Sequence, residues 1–399
     1  PWFFIFTRIG YEVSSGLMFF MLGIYLMIAA LRKKNLLLVG TFAFILSIYS
    51  YSSFRILVPI ALIMFLFIHI YASKKGLLLL SSAIIIFIIS LIPIIRLMIF
   101  DAGFGRVQSF VLLPTIQQVY DLSGKPHLQL IFDRSGSTDW GNNIRTIFKN
   151  YLVHFSPSFL LFQGDPNPRS HPAGSGQLFP TDLILVILGA YAVIRNHKQL
   201  AYLPIIFMSL GVIPAVLFRE SPHALRSLTV VPFLSILMGI GVGNLIKYFK
   251  KASILILIIY LLSFVYFYQN FIGKYAQESS KHWQYGYKRL FVDYKEQFED
   301  FDKIIISDEY AQPYIFALYY LKYSPEKFRA EVKYSDISNW GFSTVAKFGK
   351  FEFRKVQKDD LDSKRVLVFA TLTDRPETKD SDAQIKFLDG ETAFWVYNK

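Results

Sequence analysis

The chain has 399 residues, 53% of them hydrophobic and 17% aromatic, with a formal charge of +13 and no cysteine. Apolar runs of roughly 18 residues or more exclude an ordinary soluble enzyme, and the lack of cysteine excludes disulfides and thiolate metal sites. Such a positive charge would suit nucleic acid, but its placement along the chain gives another reading.

The chain opens on Pro1 and WFFIFTRIGYE, with neither the basic region nor the cleavage site of a signal peptide. It therefore reads as the continuation of a longer chain. Eight membrane spans are expected, at about 14–31, 36–49, 56–71, 77–95, 179–194, 200–218, 225–245 and 254–271. Four short connections carry Arg32, Lys33 and Lys34; Lys74 and Lys75; Arg195 and Lys198; and Lys247, Lys250 and Lys251, with no acid among them. They fall on every second connection, hence on one side, and by the positive-inside rule that side is the cytoplasm. The basic excess is thus a topology signal, and no nucleic-acid partner is expected. The opposite side receives residues 1–13, the turn 49–55, the long segment 100–178, the turn 218–226 and everything after 273. Any chemistry is expected to be extracytoplasmic, which excludes ATP and nucleotide sugars as direct substrates.

Four blocks follow: membrane helices over 1–99, an extracytoplasmic loop over 100–178, membrane helices over 179–272 and an extracytoplasmic domain over 273–399. In the loop, interfacial or short amphipathic helices are expected at 107–120 and 144–155, around a flexible turn at 135–143. Asn142 or Asn143 is a suitable N-cap for the second helix. In the last block, helices are expected at 283–298 and 313–323, the latter with Pro at its first position. Buried strands are expected at 303–307 and 365–370. Strands at 385–388 and 392–397 flank Asp389–Gly390, a type I′ hairpin signal. That is a mixed α/β domain without a glycine-rich phosphate loop, suited to structure or acceptor recognition. The fold class is a polytopic α-helical membrane protein with a C-terminal α/β domain.

The polar run 162–182, FQGDPNPRSHPAGSGQLFPTD, leads straight into an apolar helix. Its four prolines and three glycines dictate a turning backbone. Asp165, Asn167, Arg169 and His171 lie within seven residues. The run reads either as an ordered loop capping the next helix or as the polar wall of a site at the membrane surface. Arg8, Arg55, Arg96, Arg106, Arg169, Arg219 and Arg226 all fall near the outer boundary, whereas the cytoplasmic connections use mostly lysine. The planar guanidinium suits bidentate phosphate contacts, although a single arginine more often snorkels or pairs with an acid. Arg55 follows YSYSS and Arg226 follows SPHA, each at the start of a span. A cation there opposes the helix dipole, so the pair, with His223, points to a shared anion. His127, His154, His171 and His223 lack metal-ligand spacing, so no metal site is read. Asp182 suits a helix cap, Glu12 and Glu220 are the other outer acids, and none of these is assigned as a general base.

The stretches PWFFIFTR, YSYSSFRILVP, FQGDPNPRSHPAGSGQLFPTDL, RESPHALRSLTVVPFL and SDEYAQPYIFALYYLKY together resemble the bacterial GT-C glycosyltransferases of the protein O-mannosyltransferase and aminoarabinose-transferase type. The resemblance implies a GT-C-like plasma-membrane transferase using a polyprenyl-phosphate-linked sugar, with inverting transfer to a protein, lipid or glycan on the extracytoplasmic face. In such enzymes the catalytic aspartate sits in the first outer loop, so here it is expected upstream of Pro1. Arg55, Arg226 and His223 would hold the donor phosphate. Tyr49, Tyr51, Asp165, Asn167, Arg169 and His171 would form the sugar or acceptor side, and a divalent metal is left open as a cofactor. A transporter would place charges at mid-span and show repeats, and neither is seen. A non-catalytic membrane subunit or lipid-linked sugar binder is the other reading.

Overall fold

A computed structural model describes residues 1–72, 77–100, 115–120, 126–131, 140–196, 199–218, 220–336, 343–375 and 380–398. The chain forms two units, Pro1–Gln269 and Asn270–Lys399.

The first unit is a bundle of apolar helices: α1 (Trp2–Phe6), α2 (Val13–Ala30), α3 (Leu36–Ser50), α4 (Phe54–Ala72) and α5 (Leu77–Phe100), then α6 (Trp140–Val153), α7 (Pro180–Asn196), α8 (Leu203–Leu210), α9 (Ile213–Val216), α10 (Val230–Tyr248) and α11 (Lys250–Asn270). Five stretches among the described residues are long and apolar enough to cross a membrane: Val13–Ala30, Phe54–Tyr71, Leu78–Leu97, Val230–Tyr248 and Lys250–Ser279. They mark a membrane-embedded protein. The other three expected spans are helical but shorter. Two are α3, with 15 residues, and α7, with 17. The third is interrupted between α8 and α9, where the Gly211 carbonyl accepts from the Thr229 hydroxyl at 3.0 Å and Pro214 lies in the first turn of α9.

Aromatic rings fill the bundle. Phe207 stacks on Phe233 with centroids 5.0 Å apart, and Phe20 packs on Phe54 at 5.4 Å. Helices α7 and α10 come closest at two glycines. A Cβ on Gly189 would strike the Leu237 carbonyl oxygen, and one on Gly241 would strike that of Leu185. This backbone-to-backbone contact is how small residues join helices in lipid.

Two expectations in the loop are overturned. The stretch Thr115–Tyr120 is not helical: it is strand β1, antiparallel to β2 (Pro126–Ile131), with Thr115 opposite Ile131. Thr, Ile, Val and Tyr are strand formers; the rest of the expected 107–120 helix lies outside the described residues. Asn142 and Asn143 do not cap α6, which already begins at Trp140. Residues 135–139 of the expected turn 135–143 also lie outside the described residues.

The second unit carries α12 (Ala276–Ser279), α13 (Tyr285–Asp293), α14 (Pro313–Leu321) and α15 (Pro325–Glu331). Its strands are β3 (Lys303–Ile306), β4 (Lys333–Tyr334), β5 (Val345–Phe348), β6 (Phe351–Phe353), β7 (Val366–Ala370), β8 (Ala383–Lys386) and β9 (Thr392–Asn398). They form one sheet in the order β4-β5-β6-β3-β7-β9-β8. Central β3 is parallel to both β6 and β7, and the remaining pairs are antiparallel. Ile304 and Ile306 face α13 and α14 across Phe291 and Ala317, while Ile305 packs with Leu361 and Tyr397 on the other face. Burial on both faces explains the unbroken apolar run Ile304, Ile305 and Ile306. The expected helix 283–298 is shorter, because after Asp293 the chain turns and closes a 3-10 turn at Gln297–Asp300. The hairpin is not type I′. Within its loop only Gly390 has positive φ, 93°, whereas type I′ needs two such residues. Phe387 N–H donates to Glu391 O and Gly390 N–H to Phe387 O, so Leu388, Asp389 and Gly390 make a three-residue loop.

Candidate functional site

The stretch 164–171 is a pair of side-chain-closed turns. Asp165 Oδ1 accepts from the Asn167 N–H at 2.8 Å, and Asn167 Oδ1 accepts from the Arg169 N–H at 3.1 Å. Asp and Asn mimic a backbone turn in this way two residues on. Gly164 adopts φ +70°, and a Cβ there would lie 2.7 Å from the His171 ring, so the ring closes over a position only glycine fills easily. Both His171 nitrogens face carbonyl oxygens, Nδ1 that of Pro172 at 2.8 Å and Nε2 that of Asp165 at 2.6 Å.

The same aspartate joins a second stretch. Asp165 Oδ2 accepts from the Ala224 N–H at 2.6 Å, and the Ala224 carbonyl accepts from the Trp2 indole at 3.0 Å. The GDPN and PHALR stretches, 59 residues apart, are thereby locked together. Burial raises the pKa of Asp165, which is 5% exposed, while the Asn167 and Ala224 N–H groups and the Ser170 hydroxyl pull it back. With both oxygens accepting backbone N–H groups, this carboxylate acts as a clamp between loops.

His154, at the end of α6, completes the join. Its Nδ1 lies 2.7 Å from Asn150 O, and its Nε2 accepts from the His223 N–H at 3.1 Å. The second contact requires an unprotonated Nε2, so the ring is the neutral Nδ1–H tautomer. Burial lowers its pKa in the same sense. Asn150 holds the neighbouring segment by donating to the Val216 and Phe218 carbonyls, both at 3.2 Å. In the sequence Asn150 carries no expectation, and His154 stands only among the histidines that lack metal-ligand spacing. The only cue was their spacing of four on an amphipathic helix.

His223 sits at the centre. Burial first, then the charges of Arg226 and Arg169, push its pKa down to about 3. Its Nδ1 is 3.9 Å from Asp165 Oδ2. That is too long for a hydrogen bond, and a neutral imidazole makes no ion pair. Both guanidiniums therefore bear on one neutral ring. Arg226 also lies over the Phe218 ring at 3.7 Å. Arg226 is not at a helix N-terminus, because the helix starts only at Val230. Ser227 and Thr229 hold the intervening turn by donating to His223 O and Gly211 O. The helix-dipole argument thus fails for Arg226 and stands for Arg55, the second residue of α4.

The remaining expected residues form a second group at the corner of α3 and α4. Tyr49 donates to Ser90 O at 2.7 Å, Arg55 Nε to Ile48 O at 3.4 Å, and Tyr51 packs its ring on Phe54. Arg8 donates to Phe4 O and covers its ring, and Arg96 is exposed on α5. Arg106, Arg219 and the side chain of His127 lie outside the described residues. Asp182 closes the first turn of α7 by accepting from the Phe179 N–H at 2.8 Å. Among the described residues no group of three His, Asp or Glu side chains is placed to hold a metal ion. Comparison with protein-family models, with curated proteins and with solved structures finds no match to the chain.

Proposed function

We propose that the protein is a membrane glycosyltransferase that takes a sugar from a polyprenyl-phosphate-linked donor and passes it, with inversion, to an extracytoplasmic acceptor. The observation that carries this reading is the 2.6 Å bond from Ala224 N–H to Asp165 Oδ2, which sets Arg169 and Arg226 around one neutral histidine. In the reaction the acceptor hydroxyl oxygen bonds to the anomeric carbon as that carbon's bond to the phosphate oxygen breaks, and the hydroxyl proton passes to water. The phosphate leaves with added negative charge, and Arg226, with Arg169, stabilises it. Asp165, Asn167 and His171 brace those arginines. The test is turnover of a polyprenyl-phosphate-linked sugar by the protein in nanodiscs, read as polyprenyl phosphate released. Arg226→Ala is expected to lose about 100-fold in rate while keeping its fold; unchanged turnover would sink the assignment.

One observation favours a second reading. Asp165 is the buried carboxylate of the site, and both its oxygens are engaged. A lipid-linked sugar binder without catalysis needs no base. Retention of labelled donor with no release of polyprenyl phosphate would select that reading.

A further inference from the structure

Helix α6 turns three large apolar side chains outward at a spacing of four. Ile144, Phe148 and Leu152 are 61, 62 and 52% exposed. Residues four apart share one face of a helix, so these make a single stripe. Another face of α6 is committed to protein: Asn150 holds the Val216 and Phe218 carbonyls, and His154 accepts from His223. Beyond the stripe, on the side away from those contacts, stand Arg145 and Lys149, both exposed. A groove of about 650 Å³ runs along this edge, and Arg145, Lys149, Phe148 and Leu152 line it. One face on protein, one apolar stripe and one basic edge describe a helix lying in a membrane interface.

The position of α6 in the bundle agrees. A cavity of about 200 Å³ is walled by His154 and Phe155 together with Leu183 of α7 and Val230 of α10. Both helix residues belong to the first turns of their helices. The end of α6 thus lies where membrane helices begin, not along their middles. We infer that α6 is an interfacial helix whose stripe enters the acyl boundary of an anionic leaflet while Arg145 and Lys149 bind lipid phosphates. Charge complementarity and continuity with the five apolar helices favour a bilayer over a protein as occupant. Because the opposite face grips 216–223, lipid contact also anchors the turn that carries His223 and Arg226. The inference holds whether or not the chain transfers sugars.

The sequence has no cysteine, so Phe148→Cys gives a unique site for an environment-sensitive fluorophore. The labelled protein is reconstituted in bilayers containing brominated phosphatidylglycerol or brominated phosphatidylcholine. Quenching by both lipids is expected, stronger with the anionic one. Arg145→Gln and Lys149→Gln should each cut the anionic preference about fivefold. Equal quenching by the two lipids overturns the phosphate contacts. A fluorophore quenched by aqueous iodide instead, or by neither lipid nor iodide, overturns the interfacial placement, the last case meaning that protein covers the stripe. Leu152→Cys serves as a second labelling site should Phe148→Cys fail to fold.

Discussion

His223 and Asp165 carry opposite pH signatures, and their difference is measurable. The folded pKa of His223, about 3, lies below its ordinary 6.5. The unfolded chain therefore binds more protons between those values, and the stabilisation is full above pH 6.5 and is lost as pH falls toward 3. His154 acts in the same sense. Asp165, raised from 3.8 by burial, acts the other way: its contribution is present below 3.8 and fades as pH rises through the folded value. Stability should thus fall from about pH 6.5 downward, most steeply before Asp165 begins to take up its proton. His223→Gln should flatten that limb by up to one proton, about 1.4 kcal/mol per pH unit. Unfolding midpoints between pH 7 and 4 test this, and an unchanged slope would mean that His223 is not held neutral. At this scale the sequence was partly legible. Asp and Asn two residues apart announce turns, but which distant N–H the second carboxylate oxygen would accept depends on tertiary placement. Nothing near His154 in the sequence points to His223, which lies 69 residues away.

Helix packing shows why elements were easier to read than their contacts. Helix α10 carries Gly239, Gly241 and Gly243 at every second position, and no pattern in the sequence says which one meets a neighbour. In the structure a Cβ at Gly239 or Gly243 meets open space, whereas Gly241 and Gly189 press backbone against backbone. A step of two residues rotates a helix face by more than half a turn and a step of four brings it nearly back, so Gly239 and Gly243 share one face and Gly241 lies on the opposite one, against α7. Gly189→Val should force α7 and α10 apart and cost about 1–3 kcal/mol. Gly239→Ala should be neutral, and equal thermal stability of the two variants would refute the contact. The start of α10 moved for a similar reason. The apolar run begins at Leu225, but Ser227 and Thr229 bond to carbonyls outside the helix and hold 225–229 in turns. Turn chemistry misled at the hairpin too, where Asp389–Gly390 fits both a two-residue and a three-residue loop.

At the scale of the whole chain, hydropathy alone registers the change in the mode of burial. Apolar helices give way to strands of two to seven residues, and the two modes of burial need different periods. Each unit has its own apolar core: one cluster draws on residues from Trp2 to Leu237, the other on residues from Tyr287 to Val396. Strands β4, β5 and β6 were not anticipated, since β4 and β6 have two and three residues, too few to show alternation. Separate cores imply separate unfolding. Phe369 on β7 is fully buried, with the rings of Tyr294 and Phe298 at 5.2 and 6.4 Å. Phe369→Ala should cost the sheet unit about 3–5 kcal/mol through the cavity it leaves. That cost should appear as earlier proteolysis of the chain beyond 270, with the helical circular dichroism of the bundle unmoved. A substitution spreads only through groups that share its packing, and no residue belongs to both clusters. If the bundle signal shifted in step with the sheet, the two units would unfold as one, and the separate cores would not be the unit of cooperativity.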